Sequence, residues 1–369
     1  MQRESWVPPG ADPPIRLRFE HTLFGHWGAR SGYPRFVANL SKERFSASLH
    51  GAKDSHEECP AWLRPAKPWL VRALKRRRMQ WYKLSDLNAE IEALGDCLRG
   101  KVDIVHFLDG EHSGQFLPQV LRRTNSRVRT IATFHQPPDL LDEILDPALV
   151  RHLDHVVLMS PSQRPYFEGK IADERVSVIL HGVDTDFFHA REAERTSGPI
   201  RCVTAGHWLR DWHLFREVAL RLPEVEFHAV TSRETGADDL PNVRRRQGLS
   251  DDELAALYRN SDILFLPLLD STANNALLEG MASGLPLVAT DLIATRVYSG
   301  GMGAILTPMG DAQSTIAALR QLVQDAPLRQ RLGIQSRERA NMLNWAEIAR
   351  EYERLFTRVY GARRDRRSV

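Results

Sequence analysis

The sequence predicts an α/β protein built from two doubly wound parallel sheets. Three observations carry that reading. Short apolar runs end repeatedly in polar loops and alternate with helical segments, the pattern of strands covered on both faces. The stretch Asp262 to Asp291, DILFLPLLDSTANNALLEGMASGLPLVATD, holds one βαβ unit in full. The chain has 369 residues, enough for two domains of ordinary size.

Taken in order, the chain begins with a Pro-rich lead, Val7 to Pro14, and a first strand, Ile15 to Phe24. GHWGARSGYPRF follows, in which Gly25, Gly28 and Gly32 let the backbone approach a ligand or adopt positive φ. Tyr33 to Leu40 then reads as a helix. Leu84, Leu87, Ile91, Leu94 and Leu98 recur at helical spacing. Strands are expected at Val102 to Leu108, Arg129 to Phe134, His155 to Met159 and Arg175 to Leu180, each ending in a polar loop. Arg191 to Pro199 is polar and charged and reads as a linker.

Beyond it, strands are expected at Ile200 to Ala205, Val225 to Val230, Val243 to Arg245, Ile263 to Leu266, Leu287 to Ala289 and Ala304 to Leu306. Helices at His213 to Leu222, Asp251 to Arg259, Asn275 to Ala282 and Ala312 to Val323 separate them. A last helix is expected from Trp345 to Tyr360, with GARRDRRSV as a frayed basic tail. No repeat of solenoid period is present.

Composition narrows the function classes. Apolar residues at 42% and charged residues at 26% describe a globular chain. No apolar run approaches the roughly 20 residues that span a bilayer, and MQRESWVPPGADPP has no apolar signal core. A cytoplasmic protein is expected. Cys59, Cys97 and Cys202 lie far apart and form neither a disulfide framework nor a metal pair. Net charge +3 does not by itself imply nucleic acid. Every lysine lies at or before Lys170, so a phosphate-binding cation in the second half must be Arg or a protonated His.

Residues 57–83 form a compositional island, with Trp62, Trp69 and Trp81 interleaved with Arg72, Lys75, Arg76, Arg77, Arg78 and Lys83. The plain reading is a solvated basic face over aromatic stems. The next is a peripheral contact of residues 62–83 with an anionic membrane at its inner face. An acidic glycan or lipid-diphosphate acceptor would call for similar residues. No nucleic-acid motif accompanies the patch, and no nucleic-acid partner is expected. The sequence leaves the oligomeric state open.

In the Asp262–Asp291 unit, Ile263 to Leu266 is stopped by Pro267, and Gly284 and Pro286 end the helix that follows. The loop between them lies where free amides and the helix dipole favour an anion. Ser, Thr and Asn there are also ordinary helix caps. ALLEGMASGLPLVATD resembles the nucleotide-sugar signature of the family-4 glycosyltransferases of the GT-B type. The Gly-rich loop after the first strand, and HGVDTDFF ahead of the linker, are similar to their counterparts in that family.

The resemblance implies two Rossmann-like domains facing a cleft. Residues 1–190 would bind the acceptor and 191–345 the donor, with 346–369 a helix and basic tail crossing back to the first domain. It implies that Glu279 binds the donor ribose. The Glu that normally holds the sugar, eight positions earlier, is replaced by Ser271, beside Asp270. In the family an Arg and a Lys after the first strand of the second domain hold the diphosphate. Here the segment is TAGHWLRDWHLF: Gly206 is present, His207 stands at the Arg position, and Arg210 is the nearby permanent cation. Arg210 is therefore assigned to the diphosphate, against a surface pairing with Asp211 or Glu217. Thr272, Asn274 and Asn275 would complete the phosphate cradle. His135, in TFHQPP, would contact the donor sugar with Asp270 and Ser271. Gly28 and Gly32 would line the acceptor side. So would Asp109 and Glu111, from their own place in a strand-end loop near His135, either carboxylate positioning or deprotonating an acceptor hydroxyl; a plain solvated loop is the equal alternative for that pair.

The expected activity is transfer of a sugar, with retention, from a nucleoside diphosphate sugar to a glycan, lipid-linked or small-molecule acceptor. UDP or GDP is the first expectation for the nucleotide, with no cofactor and no metal. The rivals are a GT-B phosphorylase or epimerase, and a catalytically silent nucleotide- or glycan-binding protein.

Overall fold

The computed structural model describes residues 13–24, 30, 32–77, 79–124, 126–192 and 198–365. Two parallel six-stranded sheets organise them. The first contains β1 (Ile15–Leu23), β2 (Phe45–Lys53), β3 (Ile104–Phe107), β4 (Arg129–Phe134), β5 (His155–Leu158) and β6 (Val176–Val178). Its order is β2-β1-β3-β4-β5-β6. The second contains β7 (Arg201–Ala205), β8 (Glu226–Val230), β9 (Val243–Arg246), β10 (Ile263–Leu266), β11 (Leu287–Thr290) and β12 (Ala304–Thr307), in the order β12-β11-β10-β7-β8-β9. The central strands β3, β5, β10 and β11 are buried at every residue. Strands buried on both faces are dominated by apolar residues, here with His106 in β3, His155 in β5 and Thr290 in β11 as buried polar exceptions.

The strand order positions the site. In the second sheet the direction of winding reverses between β7 and β10. Loops at the carboxyl ends of those two strands diverge there and leave a crevice. The loop after β7 carries Gly206 to Asp211, and the loop after β10 carries Asp270 to Asn274.

The helix Trp345–Asp365 crosses back onto the first sheet. Tyr352 stacks on Phe36 with centroids 4.0 Å apart, and Phe356 meets Phe19 at 5.8 Å and Phe45 at 6.1 Å. Glu353 accepts from the Ser41 amide at 2.6 Å and from Arg44 at 3.3 Å. Further contacts join the two sheets. The Tyr298 hydroxyl accepts from the His181 amide at 2.8 Å and donates to the Met159 carbonyl at 3.0 Å. Arg337 donates to the Thr185, Phe188 and Ala282 carbonyls, tying the turn between the sheets to the end of the helix Asn275–Ala282.

Some expectations are corrected. Tyr33–Asn39 is a 3-10 helix, opening with Pro34 and preceded by Gly32 at φ 105°. Arg175 to Leu180 is a strand only over Val176–Val178. The last helix runs on through the start of the expected tail, to Asp365. β2 and the helices Lys67–Arg76, Ile293–Ser299 and Ala326–Asn341 were not anticipated. Among the described residues, no helix is long and apolar enough to cross a membrane.

Candidate donor-binding site

Two loops build the site by zipping together. Leu269 donates its amide to the Leu209 carbonyl at 2.9 Å, and Asp211 donates to the Pro267 carbonyl at 3.0 Å. The β7 loop reaches that register through Gly206 at φ 88° and Leu209 at φ 52°. A branched or bulky residue in the left-handed region is strained, so the turn at Leu209 is held by its surroundings. Asp211 accepts from the Leu214 amide at 2.9 Å and caps the helix Trp212–Arg221. It therefore does not pair with Arg210.

Arg210 is buried. Its guanidinium donates to the Ala205 carbonyl at 2.5 Å, the Trp208 carbonyl at 3.2 Å and Asn274 Oδ1 at 3.3 Å. These partners are all neutral, and among the described residues its buried Nε has no acceptor. Desolvation lowers its pKa to about 10, which leaves it a cation at neutral pH. A buried cation without a carboxylate is costly alone and favourable once an anion arrives.

Asn274 joins this cation to the helix Asn275–Ala282. Its side chain accepts from the Leu277 amide at 3.2 Å, so it is the helix N-cap as well as an Arg210 acceptor. The capping reading thus holds for Asn274, while Asn275 stands at the helix start. Glu279 lies one turn on and is buried; it accepts from the Tyr258 hydroxyl at 3.2 Å. Desolvation raises its pKa to about 7, with the Tyr258 bond working against the rise and the charge of Asp251 adding to it. Glu279 and Asn275 line one narrow pocket with Arg30, Gly32, His181 and Asp184 of the other side. Arg30 and Tyr258 were not singled out from the sequence. Tyr258 falls at a helical apolar spacing, and Arg30 sits inside the Gly-rich loop. Gly28 lies outside the described residues, and His207 is exposed on the β7 loop.

The facing wall comes from the first sheet. Thr272 Oγ1 donates to the His135 carbonyl, bringing the β10 loop against the β4 loop. Ser271 is buried, and its amide donates to Asp270 Oδ1 at 2.7 Å. Burial, with Asp139 nearby, raises the Asp270 pKa. His135 stacks on Tyr33 at 4.1 Å. Its Nε2 lies 2.7 Å from the Leu108 carbonyl, which can only accept, so Nε2 carries the proton. Burial lowers its pKa to about 3, which makes the ring neutral.

Asp109 and Glu111, expected on the acceptor side, are buried and bond loop backbone. Asp109 Oδ2 accepts from the Thr22 amide at 2.7 Å. Glu111 Oε1 accepts from the His135 and Gln136 amides, the latter at 2.8 Å. Both carboxylates hold loop backbone, and Glu111 fixes the turn that presents His135. Among the described residues, no group of three or more His, Cys, Asp or Glu side chains could hold a metal ion.

Comparison with known proteins decides the family. A model described as Glycosyltransferase Family 4 matches residues 28–187, and one described as Glycosyl transferases group 1 matches residues 212–325. Between them they span ten of the twelve strands, all but β1 and β7. This chain belongs to the family-4-like glycosyltransferases of the GT-B type.

Among relatives of this glycosyltransferase is the MMP alpha-(1→4)-mannosyltransferase of Mycolicibacterium hassiacum, 31% identical over 210 residues, 51% of each chain. Another is the phosphatidyl-myo-inositol mannosyltransferase of Mycolicibacterium smegmatis, 29% identical over 154 residues, 40% of each chain. The match thus spans about half or less of these curated relatives' lengths. The sucrose-phosphate synthase of Thermosynechococcus elongatus shares the fold, with a TM-score of 0.67 at 14% identity over 94% of this chain and 100% of that one. So does HepE of Anabaena, solved with UDP and glucose, with a TM-score of 0.61 at 13% identity over 93% and 99%.

Proposed function

We propose that this glycosyltransferase moves a hexosyl group from a nucleoside diphosphate sugar to an acceptor hydroxyl in the cytoplasm, with retention of configuration. The observation that carries the reading is Arg210. It is a buried cation with neutral partners, placed at the β7/β10 reversal beside the start of the helix Asn275–Ala282. That combination suits a diphosphate, because cation and helix dipole act together in a site of low dielectric. Glu279 accepts the ribose hydroxyls. The sugar lies towards Asp270 and Ser271, against the neutral His135 ring. The acceptor enters from the side of Gly32 and the loop that follows β3. The bond between the anomeric carbon and the diphosphate breaks as the acceptor oxygen bonds to the same face. The acceptor proton leaves to the departing phosphate oxygen, so no protein base is needed. Thr272, bonded to His135 across the cleft, keeps water out. GDP and UDP are the nucleotides to test first. Mannose is the first sugar to test, because two relatives are named mannosyltransferases.

A thermal-shift screen with GDP-mannose and UDP-, ADP- and CMP-sugars tests the binding step. One nucleotide sugar is expected to raise the melting temperature, and Arg210→Met to abolish the rise while changing the free protein little. Stabilisation by none of them, or a full rise in Arg210→Met, refutes the assignment. Release of free nucleoside diphosphate in the presence of acceptor separates transfer from silent binding. It also separates transfer from phosphorolysis or epimerisation.

A further inference from the structure

A second surface stands apart from the cleft. The 3-10 turn Ala61–Ala66 runs directly into the helix Lys67–Arg76. The inward side of this segment is already used. Leu74 is buried, and Leu63, Leu70 and Val71 pack on a small cluster with Met79, Tyr82 and Leu149. An ordinary amphipathic helix would spend its aromatic residues on that side. Here the tryptophans face away from it: Trp62 is 71% exposed and Trp69 70%. Trp69, Arg72 and Arg76 follow at spacings of three and four and share the face opposite Leu70 and Leu74.

The charges on this face are unbalanced. Lys67 pairs with Glu57 at 2.7 Å, and Arg77 lies 4.0 Å from Asp146. Arg64, Arg72, Lys75 and Arg76 are exposed, and among the described residues none of them forms an ion pair. Single exposed hydrophobic side chains are normal and need no explanation. Two outward indoles seven residues apart, within a field of uncompensated cations, are a different feature. An indole is well placed where its apolar body can leave water while its N–H stays at a polar boundary. The cations require that boundary to be negative. A second copy of the chain would bring the same positive charge against itself.

We propose that residues 61–77 form a docking surface for an anionic lipid bilayer. The cations meet the headgroups and Trp62 and Trp69 enter the interface. The surface lies on the acceptor side. Tyr82 packs on Phe116 at 5.4 Å, and Trp81 packs at 5.2 Å on His112, which adjoins Glu111, the residue that fixes the His135 turn. A membrane on this face would lie beside the wall that receives the acceptor.

The test is co-sedimentation of the full chain with phosphatidylcholine vesicles, with and without phosphatidylglycerol, and tryptophan fluorescence on the same samples. Binding is expected only with the anionic lipid, with a blue shift. Arg72→Ala/Lys75→Ala/Arg76→Ala should lower partitioning by about a hundredfold, and high salt should act likewise. Trp62→Ala/Trp69→Ala should weaken binding and remove most of the blue shift. Far-UV circular dichroism and the response to nucleotide sugar should be unchanged in both variants, which separates this surface from the donor site. Equal binding to neutral vesicles, or wild-type binding by the triple variant, overturns the proposal. So does tighter binding to duplex DNA than to the vesicles. So does an oligomer that the tryptophan variant converts to a monomer.

Discussion

Replacing Glu279 by Gln is expected to remove the pH dependence of donor binding. In the free protein, desolvation holds the Glu279 carboxyl at about 7, despite the Tyr258 hydrogen bond. It must be ionised to accept from two ribose hydroxyls at once. With that pKa, about one molecule in ten carries the carboxylate at pH 6, so affinity should fall about tenfold between pH 8 and pH 6. Binding near pH 6 should release close to one proton. Glutamine cannot titrate, so the variant should bind with a flat profile. At pH 8 it should bind about 10- to 100-fold more weakly, because a hydrogen bond to a charged acceptor contributes about 1.5–3 kcal/mol. Calorimetry with an intact nucleotide sugar, in two buffers of different ionisation enthalpy, reads both the affinity and the proton count. A nucleotide sugar suits the measurement because its doubly esterified diphosphate does not titrate in this range. The assignment fails if the wild-type slope persists in Glu279→Gln, or if the wild type binds with no proton release.

Tyr258→Phe removes the hydroxyl that favours the Glu279 carboxylate, so the midpoint of the binding profile should move to higher pH; an unmoved midpoint would mean that the pair does not control the site. Gly182→Ala should lower stability by about 1–3 kcal/mol in urea unfolding, because a Cβ there would sit 2.4 Å from the Trp345 ring in the turn between the sheets. Stability should fall as pH rises from about 7.5 to 8.5, above the range in which the unfolded chain protonates His106, His135, His155 and His181, which burial keeps neutral in the native state. Burial raises Glu20 to about 8 and Glu111 and Glu279 to about 7, so the native state keeps protons that the unfolded chain has already lost. Urea midpoints across that range check the sign, and Glu20→Gln should flatten the upper part of the slope.

The elements legible in the sequence were those whose burial is written as an apolar run or a helical stripe. β10, ILFL, is wholly buried and bounded by Asp262 and Pro267, so its limits coincide with those read from the chain. β2, FSASLHGAK, is an edge strand with only Phe45 and Ala52 buried. It carries no alternation to detect, because one neighbour supplies its pairing. The helix Ala326–Asn341 fails for another reason. Its buried residues are Leu328, Gly333, Ser336 and Ala340, mostly small. Close approach of backbones replaces an apolar stripe: a Cβ at Gly333 would lie 2.5 Å from the Gly284 carbonyl oxygen. Such packing is invisible to periodicity.

The same division runs through the site. Asn275 and Glu279 belong to one short helix, and local spacing was enough to place them one turn apart. Arg210 was legible only as a cation of the right type in the right loop. What makes it a candidate phosphate ligand is the burial of its guanidinium among the Ala205 and Trp208 carbonyls and Asn274. That environment is set by β7 lying beside β10, a contact between segments some 60 residues apart in the chain. Glu111 was read as an acceptor-side carboxylate because it follows a strand. Its hydrogen bonds to the His135 and Gln136 amides depend instead on β3 lying beside β4. A strand-end polar residue can serve a ligand or a neighbouring loop, and strand adjacency decides which. Ser271 fits the same logic. Ser271 lies in the loop after β10, ahead of the helix Asn275–Ala282. The polar groups nearest in the fold are Asp270, adjoining it in the chain, and the Thr272–His135 bridge from the opposite sheet. In the proposed donor site, sugar selectivity would then rest on how the two sheets close together, more than on the signature around Glu279.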